Sequence, residues 1–169
     1  MWMKYKLVDT TFAYTITAVD HSVKSRGCTN LRLRQLSRVV TRHYDAYVAA
    51  TGLKNTQYSL LSKVVLLGPI RPSDLAQRMR LDASTLTRNL RPLLAQGLLR
   101  QRPGQDARSR LVVATSEGRA RRAQAQGAWK QAQLAFNQRV GERRVAALHA
   151  LIDDCIDRLA IQDCGKDSA

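Results

Sequence analysis

Residues 82–118, DASTLTRNLRPLLAQGLLRQRPGQDARSRLVVATSEG, constrain this chain more than any other stretch. They read as a short two-faced helix, a tight basic hairpin and a new helix start. Leu86, Leu90, Leu93 and Leu94 fall at helical spacing and make one apolar stripe. Ser84, Thr85, Thr87, Arg88 and Arg91 occupy the front and the opposite side. Short hydroxyls and arginines in that position are the groups that reach base edges and phosphates. Asp82 suits the N-cap, and Gly97 suits the C′ position that ends a helix. Pro92 removes a backbone donor inside the pattern and is expected to bend the helix. An ordinary surface helix with a solvated polar face would look the same in isolation. The segments on either side weigh against that.

Upstream, residues 70–81 (IRPSDLAQRMRL) offer Pro72 and Ser73 as a helix start, with Leu75, Ala76 and Met79 as a short buried face. Leu81-Asp82 then breaks into the next helix, so two short helices meet at a tight turn, a helix-turn-helix. Downstream, LLRQR and SRLVVA are strand-like runs joined at Pro103-Gly104. Arg100, Arg102, Arg108 and Arg110 fall within eleven residues. So basic a hairpin is a poor hydrophobic element and a good phosphate or minor-groove probe. Arg102, Arg108, Ser109 and Arg110 are the candidate contacts of this arm. Asp106, two residues before Arg108, is placed to hold its guanidinium extended. The alternative is a pair of solvated loop charges that contributes little.

These residues resemble the MarR (multiple antibiotic resistance regulator) family. The likeness rests on Leu75-Ala76, Leu86-Thr87-Arg88 and Gly97-Leu98. Its most specific part is Asp106-x-Arg108-Ser109, followed by Val112, Thr115 and Gly118. The family usually has Leu before that threonine; here it is Ala114, which thins the packing under the arm. The resemblance covers about residues 28–160. It implies a winged-helix homodimer on pseudo-palindromic operators, usually a repressor released by a small ligand or by oxidation.

Composition points the same way. The chain has 169 residues, the size of one compact protomer, and a formal net charge of +15. An excess that large calls for a polyanion or a membrane surface as partner. No apolar run is long enough to span a bilayer, so no membrane role is expected. Residues 71–110 carry nine Arg and three Asp, a net of +6. Residues 151–169 carry five Asp against Arg158 and Lys166, a net of −3. The basic excess thus includes the reading head, and the C-terminus would not help bind DNA.

The remainder reads as helix. Leu31, Leu33, Leu36, Val39, Val40, Tyr44 and Tyr47 make residues 30–50 an amphipathic helix of about five to six turns, ended by Gly52. Residues 56–67 form a second helix, closed by Gly68-Pro69. Thr115 or Ser116 caps a long helix through about Asn137, weakened at Gly127, and Gly141 breaks it. The last helix carries Val145, Leu148, Leu151, Ile152, Cys155, Leu159 and Ile161, more apolar surface than one narrow stripe needs. The resemblance implies that the first and last helices form a dimer interface. The expected division is an N-terminal extension over 1–27, a dimerisation region over 28–55 and 116–163, a reading head over 56–115, and a tail over 164–169. Residues 1–27 fit no part of the pattern. Their apolar run is bounded by Asp9 and Asp20 and lacks a cleavage site, unlike a signal peptide.

Three cysteines without a secretory segment argue for a reducing compartment, hence the cytoplasm, and against a disulfide framework. Cys28 precedes Thr29-Asn30, read as the cap of the first long helix, where the helix dipole favours a thiolate. Cys155 and Cys164 lie on or just after the last helix. The three could form a sensing thiol with a resolving partner, the layout of the organic-hydroperoxide-sensing branch of the family. The competing reading makes Cys155 a core residue, Cys164 a tail residue and Cys28 a small packing residue. His43, Tyr44, Tyr47, Tyr58 and Trp129 could line a small-molecule pocket between dimer helices and reading head, or simply be mixed core and surface. No metal-ligand spacing, phosphate-binding glycine loop or nucleophile elbow occurs, so neither metal, cofactor nor catalysis is expected.

The expected fold class is mostly α with a small β-hairpin wing, a winged helix-turn-helix with terminal helices forming a dimerisation region. The expected partners are double-stranded DNA, a second copy of the chain, and a small-molecule inducer or oxidant. The expected function is sequence-specific transcriptional regulation. The rivals are a basic nucleic-acid or nucleoid-structuring protein with little sequence preference, and an enzyme using Cys28 as nucleophile, for which no base is in evidence.

Overall fold

Local capping and apolar spacing account for most of the elements in this computed structural model, which describes residues 27–104 and 110–163. Helix α1 spans Thr29–Val48. Thr29 is already helical, and the N-cap position falls to Cys28, which makes no side-chain capping bond. The expected Thr29-Asn30 cap is therefore displaced by one residue, and the first turn has no side-chain partner. One 3₁₀ turn over Ala49–Thr51 ends at Gly52, whose φ of 74° needs glycine. Helix α2 (Asn55–Leu67) starts where the Asn55 N–H donates to Asp45 Oδ1 at 2.6 Å, which ties it to α1.

Helix α3 (Pro72–Arg78) opens with proline at its first position, where no N–H is needed. Arg80 then takes a left-handed φ of 51°, an uncommon conformation that turns the chain within two residues. Helix α4 (Ala83–Ala95) continues through Pro92 as one helix. Gly97, at φ 68°, closes it in the left-handed conformation. Strands β1 (Leu99–Pro103) and β2 (Arg110–Ala114) pair antiparallel, Leu99 opposite Ala114 and Pro103 opposite Arg110. Ile70 adds a single bridge to Val112, with bonds of 3.1 and 2.8 Å, so the hairpin is anchored to the loop before α3. Helix α5 (Ser116–Val140) outruns its expected end at Asn137, and α6 (Glu142–Asp163) follows Gly141.

One apolar cluster joins α2, α3, α4 and the hairpin through Leu60, Leu61, Leu75, Leu86, Leu93 and Val112. Each such side chain contributes roughly 1.5–3 kcal/mol on burial. The α4 stripe expected from spacing is the one that is buried: Leu86, Leu90 and Leu93 face the core and Leu94 packs partly against it. This is the expected winged helix. Ala125 and Ala132 are fully buried on α5, where small side chains let the neighbouring helices approach. Gly127 lies on the exposed side of α5, and a Cβ there would meet nothing within 4 Å. Gly127→Ala is expected to stabilise the fold by about 0.5–1 kcal/mol in chemical denaturation, since alanine orders more cheaply in a helix. A loss would mean that the position is covered.

The outer helices keep apolar side chains in solvent. Leu33 on α1 and Leu151 and Leu159 on α6 are 53%, 61% and 66% exposed. Among the described residues no helix is long and apolar enough to cross a membrane, and no group of three potential metal ligands occurs.

Candidate nucleic-acid interface

Asp82 organises the front of α4. Its carboxylate accepts the Thr85 N–H at 2.6 Å, the Ser84 hydroxyl at 2.6 Å and the Thr85 hydroxyl at 2.8 Å. The Ser84 hydroxyl first, and then the Thr85 backbone and side chain, hold the carboxyl down at about 2. A carboxyl lowered in the folded state stabilises that state above its unfolded pKa and loses the contribution as pH falls. The cap should therefore be intact at neutral pH and released only as pH drops from the ordinary value of 3.8 towards about 2. A carbon-detected NMR titration of the Asp82 carboxyl reads this directly; an inflection at 3.8 would mean that the capping bonds do not form.

This network decides what the hydroxyls can do. Ser84 and Thr85 donate inward to Asp82, and Thr87 donates to the Ala83 carbonyl at 2.8 Å. With their protons committed, the exposed Ser84 and Thr87 hydroxyls are left as acceptors, and the half-buried Thr85 oxygen faces Arg88. Arg88 supplies donors: it is exposed, and its Nη2 donates to Thr85 Oγ1 at 3.4 Å. Arg91 is exposed one turn further on and has no hydrogen bond or ion pair among the described residues. Sequence reasoning selected these side chains but missed the division between acceptor hydroxyls and donor guanidiniums. The clue was there, two hydroxyls within three residues of a capping aspartate.

On the hairpin, Arg102 opposes Leu111 and Arg110 opposes Pro103, and both arginines are exposed. Asp106, Arg108 and Ser109 lie outside the described residues. The base of the hairpin is fixed to α5 by Thr115. Its N–H donates to the Leu98 carbonyl at 3.1 Å, its hydroxyl reaches the Gly97 carbonyl at 2.8 Å, and the same oxygen accepts the Gly118 N–H at 3.0 Å. Gly118 is buried directly on the Leu98 carbonyl, closer than any side chain would allow. Thr115 thus ties the end of α4, the base of the hairpin and the start of α5 together.

The five candidate pocket residues come together where α1, α2 and α5 meet. The Tyr58 and Trp129 rings stack 6.1 Å apart, Tyr44 lies 6.3 Å from Trp129, and His43 lies 5.3 Å from Tyr47. Phe136, which the sequence reading overlooked, joins them 5.7 Å from His43. Its spacing of seven from Trp129 on one helix was the available signal. His43 Nε2 lies 2.9 Å from the Ala132 carbonyl, and the Tyr44 hydroxyl donates to Gln133 at 2.6 Å. Burial raises the Tyr44 pKa. Cys28 and Cys155 are both free and exposed in the protomer, so the reading of Cys155 as a core residue is corrected: α6 turns it outward. Cys164 lies outside the described residues.

The MarR family model matches residues 53–109, from the start of α2 into the arm. The Bacillus subtilis protein YwoH, an uncharacterised HTH-type transcriptional regulator, is 28% identical over 86 residues. That alignment covers 51% of this chain, and the chain spans 63% of the length of YwoH. The structure of the M. tuberculosis transcriptional regulator MosR in complex with DNA is 32% identical, with a TM-score of 0.64, over 76% of this chain and 98% of that one. A mutant MarR from E. coli complexed with operator DNA shares the fold, with a TM-score of 0.68 at 21% identity over 75% and 91% of the two chains. With its helix-turn-helix, its arginine-bearing wing and its likeness to MosR over nearly all of that protein, this chain belongs to the MarR family.

Proposed function

We propose that this chain is a sequence-specific, DNA-binding transcriptional regulator that acts as a homodimer on a pseudo-palindromic operator. The observation that carries the reading is the outward face of α4. Ser84, Thr87, Arg88 and Arg91 stand on a helix whose back is locked into the core by Leu86, Leu90 and Leu93. A rigid, basic helix face of this kind fits the major groove, with the wing arginines beside it in the minor groove. MosR, its relative at 32% identity, was crystallised with DNA.

The dimer is supported by apolar side chains that the outer helices leave exposed: Leu33, Leu36 and Val39 on α1, and Leu151, Ile152 and Leu159 on α6. The division into a dimerisation region over 28–55 and 116–163 and a reading head over 56–115 belongs to this proposal. So do repression, and release by a small ligand near the aromatic cluster or by oxidation at the exposed Cys28 and Cys155. Two-fold symmetry then requires half-sites about one helical turn apart.

Titration of the full chain with the DNA upstream of its own gene, against scrambled duplex at fixed salt, tests the reading. Selective binding at two subunits per site is expected, with weaker binding in the presence of peroxide if the thiols take part. Equal affinity for scrambled duplex would replace it with a basic nucleic-acid-binding protein of little sequence preference.

A further inference from the structure

We propose that a shallow cleft beside the wing is a phosphate-binding site. The cleft encloses about 210 Å³ between the end of α2, the two strands and the first turn of α5. Val65, Pro69 and Val113 form its apolar wall, and Arg100, Arg102 and Arg119 line the rest. None of its described lining residues is acidic.

The placement of the three guanidiniums follows from backbone geometry. Arg100 and Arg102 are two residues apart on β1 and so project from one face of the hairpin, the face that also carries their cross-strand partners Val113 and Leu111. The opposite face, with Leu99 and Val112, is buried in the core. Arg119 comes from α5, and its Nη1 donates to the Ala114 carbonyl at 2.9 Å, which fixes that guanidinium at the cleft wall. Arg100 and Arg102 make no hydrogen bond or ion pair among the described residues.

Three like charges along one cleft, with no carboxylate among the described residues that line it, repel one another, and an anion reverses that term. Guanidiniums from two separate elements suit a tetrahedral oxyanion, which offers each donor its own oxygen; a carboxylate has only two. A cleft of this size is small for an elongated ligand and adequate for one phosphate group. The group has two sources: a free phosphate or phosphate monoester, or a backbone phosphate of a duplex lying along the wing. Only the second source rests on the DNA-binding reading.

The test is a titration of the full, DNA-free chain with inorganic phosphate, followed through the arginine Nε–H signals and the Ala114 amide. Saturable shifts at Arg100 and Arg119, absent with chloride at matched ionic strength, are expected. Arg100→Gln should weaken phosphate binding at least about fivefold, since one charge-assisted contact is lost. Arg100 is exposed, so the amide spectrum of this variant should otherwise match that of the parent. Shifts that chloride reproduces, shifts that never saturate, or unchanged affinity in Arg100→Gln would overturn the proposal. Duplex added to the phosphate-loaded chain then separates the sources. Displacement assigns the site to a backbone phosphate, and joint binding assigns it to a free one. If no duplex binds while phosphate still saturates the cleft, the DNA-binding reading fails and this site stands.

Discussion

Gly118→Ala is expected to destabilise the protein by about 3 kcal/mol, the upper end for an overpacked site, and to lower its Tm by about 6–12 °C. A Cβ on Gly118 would overlap the Leu98 carbonyl oxygen and lie 2.9 Å from the Leu98 carbonyl carbon. A flexible side chain could swing aside, but these are backbone atoms. The Leu98 carbonyl is held by the Thr115 N–H at 3.1 Å, and Thr115 is held in turn by its own bonds to Gly97 and Gly118. Leu98 is itself buried and follows directly on the end of α4. Relief of the overlap therefore requires α5 to lift off the hairpin base. Gly97→Ala is the control. Its φ of 68° is strained for alanine, yet the space around it is open. It should cost only about 1–2 kcal/mol. Equal losses in the two variants would show that the contact at Gly118 yields easily.

Arg88→Ala should leave the fold intact and remove about 5- to 150-fold of the preference for operator over random duplex, the equivalent of one bidentate base contact. The side chain is exposed, and its bond to Thr85, at 3.4 Å, is weak and local. Competition between operator and scrambled duplex reads the effect. A loss of equal size on both would make Arg88 a phosphate contact and shift base reading to the hydroxyl acceptors and Arg91. Retained selectivity would move the reading face off this part of α4.

Elements governed by neighbours a few residues away were legible before the fold was known. The α4 stripe, the Asp82 cap, the Gly97 stop and the Thr115 cap all depend on contacts within about one turn of chain, so spacing alone exposes them. The family likeness was carried by the same segment. The cap of α1 was misplaced by one residue because Cys28, Thr29 and Asn30 differ little in local preference and no side-chain bond selects among them. Cys155 was harder still, since an apolar helical stripe does not say which neighbour will cover it.

Residue order and chemistry thus determined by themselves the helices, the hairpin, the basic bias of residues 71–110 and the family to which the chain belongs. Only the tertiary structure decided which distant groups meet. It brought Ile70 to Val112, set Gly118 against Leu98, added Phe136 to the aromatic cluster and gathered Arg100, Arg102 and Arg119 around one cleft. The reason is one of range. Capping and amphipathic spacing act through adjacent turns, whereas these meetings depend on how whole elements pack to bury a shared core.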